Sequence, residues 1–420
     1  MGNLIIKQVQ RAGLILLLVS GFHLVVWGVA KAQVPIRHVN LQQMMQYDLR
    51  ALGMGGGFGP VARGEAALLY NPAGLAQQFR SIKLGFGLSV DIEEGDFYKD
   101  TTTISKGAPT QAKLTDYFTK YLNKSQNYRT EQYLNAVAMF GGPGFGVGAG
   151  KIKQDRYTFE FQDTVPNGAL DVIPGSADSF FARQTRLSAM VYGLGFPARE
   201  GQILMGLTFK QMTYTEMSYS KPMDIMVTGG KISMPKDGWV YKAKGYDAGL
   251  LYRMESFSFM RPQWSMVFYN LGGVTLNTPS SVGSPDPATA ETLESPMTYN
   301  LGLALHPQVG PAKLILTMEV EDMANNSKVY NSATQKNLPR SFKQRFNYGG
   351  EAGFWEVSGG GHVLNFRMGN HRGKFTKGME LNAWNSMRIV YTRYTDDFGS
   401  DGKQDRHPFK ALTLVFGFAL

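Results

Sequence analysis

From Ser81 to the last residue the chain is written in twos. Leu84, Phe86, Leu88, Val90 and Ile92 alternate with Lys83, Gly85, Gly87, Ser89 and Asp91. Leu314, Leu316, Met318 and Val320 alternate with Lys313, Thr317, Glu319 and Glu321, and Leu412, Leu414, Phe416, Phe418 and Leu420 with small or polar neighbours. Residues two apart on a strand share a face, so each segment has one apolar face and one that is small, polar or charged. The strand rules mark about fourteen such segments. They lie near 82–91, 131–141, 144–155, 181–196, 202–219, 239–254, 262–271, 297–306, 311–322, 343–355, 361–369, 374–384, 387–396 and 408–420. A soluble sandwich alternates in the same way, so the period alone does not choose between the two.

The connections choose. Tight turns (Gly141-Gly142-Pro143-Gly144, 197–201, 255–261, 307–310, 356–360 and 384–386) alternate with long polar loops at 92–130, 156–180, 220–238, 272–296, 323–342 and 397–407. Only Asn370-His371-Arg372-Gly373 is short where a long loop is due. A sandwich has no reason to sort its loops. Outer-membrane barrels do sort them, with an even strand number and both termini in the periplasm. After residue 32 no stretch reaches the ~20 apolar residues of a membrane helix, so a membrane-spanning chain must close into a barrel. The expected fold is all-β, a transmembrane antiparallel β-barrel of about fourteen strands. Tyr133, Tyr192, Tyr241, Tyr252, Trp264, Tyr299, Tyr330, Trp355, Trp384 and Tyr391 fall near strand ends, where an interfacial girdle is expected.

Residues 1–32 read as a secretory signal: Lys7 and Arg11, then the apolar run Leu14 to Ala30, then Ala30-Lys31-Ala32 as the cleavage site. The expected organisation is signal peptide at 1–32, an N-terminal segment at 33–80 and the barrel at 81–420. Net charge is +10, but the cations are interspersed with acids, which argues against nucleic acid as a partner. There is no cysteine, hence no disulfide, lipidated cysteine or thiolate metal site.

Residues 51–76, ALGMGGGFGPVARGEAALLYNPAGLA, stand apart. Gly53, Gly55, Gly56, Gly57 and Gly59 are too dense for a stable helix and allow backbone angles closed to other residues. Ala66 to Tyr70 reads as a helical turn, broken at Asn71-Pro72 because proline disfavours helical angles in the residue before it. Gly57, Gly59 and Ala62 spell a relaxed dinucleotide fingerprint, but no apolar strand precedes it and no G-K-[ST] follows. A glycine-rich turn without ligand and a compact plug remain.

The first long loop carries Leu114, Tyr117, Phe118, Tyr121 and Leu122 at helical spacing. They form either an apolar platform near the outer mouth or a helix packing its own loop onto the rim. Arg186, Lys210, Arg253, Lys313 and Arg367, with Glu319 and Glu321, fall at lumen parity, and the five cations are candidate ligand contacts. Charge pairs inside a polar lumen account for them equally well. No G-x-S-x-G or H-E-x-x-H motif occurs, and the aspartates of the last loop lack the closing glutamate of a calcium loop. No enzyme activity, cofactor or metal is expected.

Arg50-Ala51-Leu52-Gly53-Met54-Gly55-Gly56 and Ala66-Ala67-Leu68-Leu69-Tyr70-Asn71-Pro72-Ala73-Gly74-Leu75 together resemble the N-terminal region of the FadL-like outer-membrane transporters. Weaker likenesses follow at 245–253, 268–272, Glu351, 367–369 and 377–381. The resemblance implies a fourteen-stranded barrel whose N-terminal segment folds inside as a hatch, with Gly53, Gly55, Gly56, Asn71, Pro72, Ala73 and Gly74 as hatch residues. It implies passive uptake of hydrophobic compounds, long-chain fatty acids or hydrocarbons, through the lumen. The partners would be outer-membrane lipid, a hydrophobic small molecule and the outer-membrane assembly machinery. The PorV and TraF-like relatives imply an alternative, a barrel that docks a secretion or conjugation machine through a partner protein.

Overall fold

A computed structural model describes residues 37–420 apart from position 47, 78–80, 96–98, most of 101–124, 141–143, 163–178, 199–200, 223–236, 255–258, 277–279, 284–291, 311, 332–335, 358–360, 384–386, 398–405 and 420. The signal sequence at 1–32 and its cleavage site therefore lie outside the described residues.

Fourteen antiparallel strands close a barrel. In chain order they are β1 Ser81–Glu93, β2 Ser125–Phe140, β3 Phe145–Gln162, β4 Ser179–Ala198, β5 Ile203–Pro222, β6 Asp237–Arg253 and β7 Gln263–Tyr269. Then come β8 Thr298–Leu305, β9 Ala312–Val320, β10 Phe346–Val357, β11 Gly361–His371, β12 Lys374–Ala383, β13 Met387–Asp397 and β14 Arg406–Ala419. Each strand pairs with the next, and β14 closes on β1 with Leu84 opposite Phe418 and Leu88 opposite Leu414. The expected strands are all present. The largest differences are paired: β2 begins at Ser125 rather than 131 and β3 ends at Gln162 rather than 155, because the polar start of β2, Ser125 to Thr130, pairs with Asp155 to Glu160 of β3. The short connection after β11 is a two-residue turn with φ of 52° at Arg372 and 82° at Gly373. Two positive φ values are what a hairpin turn of type I′ needs.

Outward residues form an apolar band. Leu84, Phe86, Leu134, Leu316, Met318, Phe366, Met368, Leu381 and Leu412 are all exposed, Met368 by 63%. The opposite parity is buried and polar, as in Thr317, Glu319, Asp247, Glu351, Arg367 and Glu380. A soluble protein hides the first set and exposes the second; a membrane barrel reverses this. Tyr192, Trp264 and Trp355 lie on the exposed side as a girdle requires, whereas Tyr241 is buried among inward apolar residues and Tyr133 packs against them. Those two were misassigned because an aromatic has the same strand preference on either face.

Residues 37–77 pack inside the barrel wall. Asn40 accepts the Gln43 N–H at the start of α1, Leu41–Met45, and Asp48 accepts the Arg50 N–H at the start of α2, Leu49–Gly53. A 3-10 turn at Gly64–Ala66 leads into α3, Ala67–Tyr70, and a second follows at Pro72–Gln77. Leu41, Met45, Leu68 and Leu75 are buried against Val137, Ile152, Ala189, Val191, Met212 and Tyr214 of the wall. At its start, Arg37–His38 pairs in parallel with Leu293–Ser295, which pairs with Val274–Leu276 in the long connection between β7 and β8. The segment thus runs from the long-loop end of the barrel to the tight-turn end, where β1 begins.

Candidate functional site

The site is the interior, and its first determinant is how closely two backbones meet. Pro72 and Ala73 lie against Gly206 of β5, where a Cβ would stand 2.2 Å from the Pro72 carbonyl carbon. At Gly249 of β6 a Cβ would stand 2.1 Å from Asn71 Oδ1. Gly349 and Gly369 meet Met54 and Gly55 in the same way, at 2.3 and 2.5 Å, and Gly302 meets Pro60. Any side chain at these wall positions would displace the segment, so the inward-facing glycines form its seat. Gly55 and Gly56 have φ of 77° and 82°, and a Cβ on Gly74 would stand 1.9 Å from the Ala62 oxygen. Gly53 ends α2 under Arg367, with room for no more than ordinary contact.

The Asn71-Pro72 corner is held by a fully buried amide. Asn71 Nδ2 donates to Gly59 O at 3.2 Å and to Leu250 O at 3.4 Å, and Oδ1 accepts from Ala73 N at 3.1 Å. Tyr269 Oη donates to Tyr70 O at 2.5 Å, and Gly59 N donates to Glu319, whose other oxygen accepts from Asn300.

Two charge clusters fix the rest. Arg50 donates from Nε and Nη2 to Glu351 at 2.9 and 2.8 Å; Arg367 donates to Glu351 at 2.5 Å and to Glu380 at 2.6 Å. Arg388 donates to Glu65. Across the lumen, Lys210 Nζ lies 2.7 Å from Asp247 and donates to Gln42 and Asn270. Arg367 and Lys210 are therefore engaged by the protein itself, in chains that tie segment to wall. Lys313 has lumen parity but lies at the rim, half exposed and paired with Glu356. Arg253 lies at that same end, its N–H on Gln202 O. Arg186 is a correction: it lies on the opposite face from buried Leu187, Ala189 and Val191, and pairs with Asp155 on the outward side. Above the apolar band the outward face meets no lipid, so a charge there does not mark the lumen.

Of the outer platform, Tyr117 and Tyr121 are described and buried, with rings 5.1 Å apart; Leu114, Phe118 and Leu122 lie outside the described residues. Tyr121 donates to Asp100, and burial together with that bond pushes its hydroxyl up to about 12.

A cavity of about 60 Å³ lies between the N-terminal segment and strands β1 to β4 and β12 to β14. Leu68, Leu69, Ile152, Val191, Val390 and Val415 line it, together with the polar side chains of Asp48, Arg50, Glu65, Ser89, Glu131, Tyr133, Asn135, Glu380, Arg388 and Thr413. Burial pushes the Asp48 carboxyl up, against the pull of Arg388. Among the described residues no group of three acids or histidines is placed to hold a metal. Sequence reasoning missed the wall glycines and Glu131 as site residues, and met Glu351 and Glu380 only within the family likeness. The signal for the glycines was present, since Gly193, Gly195, Gly206 and Gly249 alternate with apolar outward residues.

The fold is similar to that of two solved channel structures. The Ralstonia pickettii toluene transporter TbuX is 14% identical over 88% of this chain and 97% of its own, with a TM-score of 0.51. A TodX monoaromatic hydrocarbon channel lacking S2 and S3 is 14% identical over 89% and 98%, with a TM-score of 0.50. This chain shares the barrel fold of these two channels. Neither a protein-family model nor a curated protein sequence matches it.

Proposed function

We propose that this FadL-like barrel sits in the outer membrane, after loss of residues 1–32, and passes hydrophobic compounds inward by diffusion. Residues 33–80 act as its hatch. What supports this reading is the close seating of Pro72, Asn71, Met54 and Gly55 on the inward glycines Gly206, Gly249, Gly349 and Gly369, beside an apolar-lined cavity. A lumen packed in this way is no open water pore. A mostly apolar space with a few polar groups suits an apolar solute, and a glycine-bearing segment beside it can shift. The two similar structures, a toluene transporter and a monoaromatic hydrocarbon channel, support hydrocarbons as one ligand class. Outer-membrane lipid covers the apolar band, and the assembly machinery inserts the barrel.

Proteoliposomes carrying the purified protein test this. Toluene entry should exceed that of empty liposomes while sugars stay excluded. Absent uptake, with a stoichiometric protein partner co-purifying, would favour a docking component of a secretion system.

A further inference from the structure

The outward face of β3 to β6 carries more charge than a lipid-covered wall requires. On β4, β5 and β6, Tyr192, Phe209 and Tyr246 stand opposite one another in the ladder, with ring centroids 6.3 and 5.2 Å apart along the row. The next outward rung toward the long loops runs Lys151, Met190, Gln211, Lys244 across the four strands. The rung beyond it runs Lys153, Ser188, Thr213, Lys242. Lys151, Lys242 and Lys244 are exposed, and among the described residues no acid pairs with them. Asp155, one rung further out, is taken up by Lys153 and Arg186. A cationic surface with hydroxyl and amide donors at its centre thus rests on a row of aromatic rings.

The height of this surface selects its occupant. Tyr252 and Trp264, opposite each other on β6 and β7, mark the tight-turn edge of the apolar band. Lys244 lies eight residues from Tyr252, about 27 Å along a strand, and the tilt of a barrel strand shortens this to about 21 Å across the membrane. The long lysine stem carries its ammonium the remaining distance to the edge of a band ~25 Å tall. A lipid places its phosphates at that edge and its chains on the apolar surface beneath; a free anion or an acidic peptide has no use for the rings. Lys151 and Lys244 stand three strand spacings apart, about 14 Å, so two phosphates on one head group can each meet a cation.

We infer that the outward face of β3 to β6 is a binding site for an outer-leaflet lipid with a doubly phosphorylated head group. One phosphate sits at Lys151 and the other at Lys242 and Lys244, Ser188 and Thr213 donate between them, and the acyl chains lie over the aromatic row. The site rests on the outer-membrane placement proposed above and names the lipid chemistry that this placement brings to the wall.

An acylated glucosamine disaccharide bisphosphate and the same lipid without its phosphates differ only in the groups offered to the lysines. Titrated into the full-length, detergent-purified protein and followed by native mass spectrometry, the bisphosphate should bind about tenfold tighter or more, the scale of charge-assisted hydrogen bonds. Excess inorganic phosphate should not displace it. Replacing Lys151, Lys242 and Lys244 together by Gln should abolish the preference, and replacing them by Arg should keep it; heat-modifiable migration on gels checks that both variants are folded. The wild-type comparison decides the matter even where a variant does not assemble. Equal binding of the two lipids, no binding of either, displacement by inorganic phosphate, or a preference that survives the Gln substitutions would each overturn the inference. Toluene uptake by a protein with no preference between the lipids would sink this inference alone. A preference for the bisphosphate without toluene uptake would sink the transport reading alone.

Discussion

At the Asn71-Pro72 corner one side-chain amide does the work that water does at an exposed turn. Removing it in Asn71→Ala strands the Gly59 carbonyl and the Ala73 N–H inside the lumen. Each stranded group costs about 1–3 kcal/mol, and all of that cost falls on the N-terminal segment. The expected outcome is a barrel that still assembles and migrates heat-modifiably, with raised leakage of small solutes in liposome swelling. Unchanged leakage would mean that the corner does not set the plug. The same corner can be attacked from the wall. Gly249→Ala places a methyl 2.1 Å from where Asn71 Oδ1 lies, on a strand whose outward face is untouched. It should reproduce the leakage of Asn71→Ala; assembly failure instead of leakage would show that the wall, not the segment, carries the strain. Arg50→Met acts further up, leaving Glu351 with Arg367 alone. Breaking one partner of a buried pair costs about 3–5 kcal/mol, so leakage should again rise with the barrel intact.

Among elements, the strands were legible and their interior cargo was half legible. Period two survives through the apolar band because lipid outside and polar lumen inside impose opposite demands on alternate residues. The text lost its meaning above the apolar band, and there Arg186 was read onto the wrong face. The helical turn at Ala67–Tyr70 and the break at Asn71 were legible because proline chemistry is local. The pairing of Arg37–His38 with Leu293–Ser295 was not, since it joins positions some 250 residues apart through two or three residues a side. That pairing has a pH dependence. Burial holds the His38 imidazole below its ordinary range, with Lys328 adding to this and Glu294 at 3.8 Å opposing it. The paired state therefore favours neutral His38. Its contribution is complete above the detached value, about 6.5, and is lost as pH falls through the depressed one. Hydrogen exchange at the Arg37 and Val39 amides, which donate to Thr292 O and Glu294 O, should be faster at pH 5 than at pH 8 once corrected for intrinsic rates. Equal protection would remove His38 as the cause.

For the whole molecule the decisive asymmetry is between its two ends. Ser81 and Ala419, the first and last barrel residues, lie at the end with the tight turns. At the other end lie the connection between β7 and β8, to which the N-terminal segment is paired, and the connection between β9 and β10, with its hairpin of Lys328–Asn331 and Lys336–Pro339. On the proposed outer-membrane reading, with both termini in the periplasm as such barrels have them, that hairpin faces outside the cell. Lys328 and Lys343 are exposed there, and neither belongs to a barrel ladder. Trypsin added to intact cells should therefore cut between β9 and β10 and leave the barrel closed, because the rungs from Lys313–Gly353 to Val320–Phe346 lie below the cut. The nicked protein should run as one fast band unboiled and as two fragments after boiling. Cleavage seen only after the outer membrane is broken would reverse the orientation. Immediate separation into fragments without boiling would mean that β9 and β10 do not carry the closure that their ladder implies.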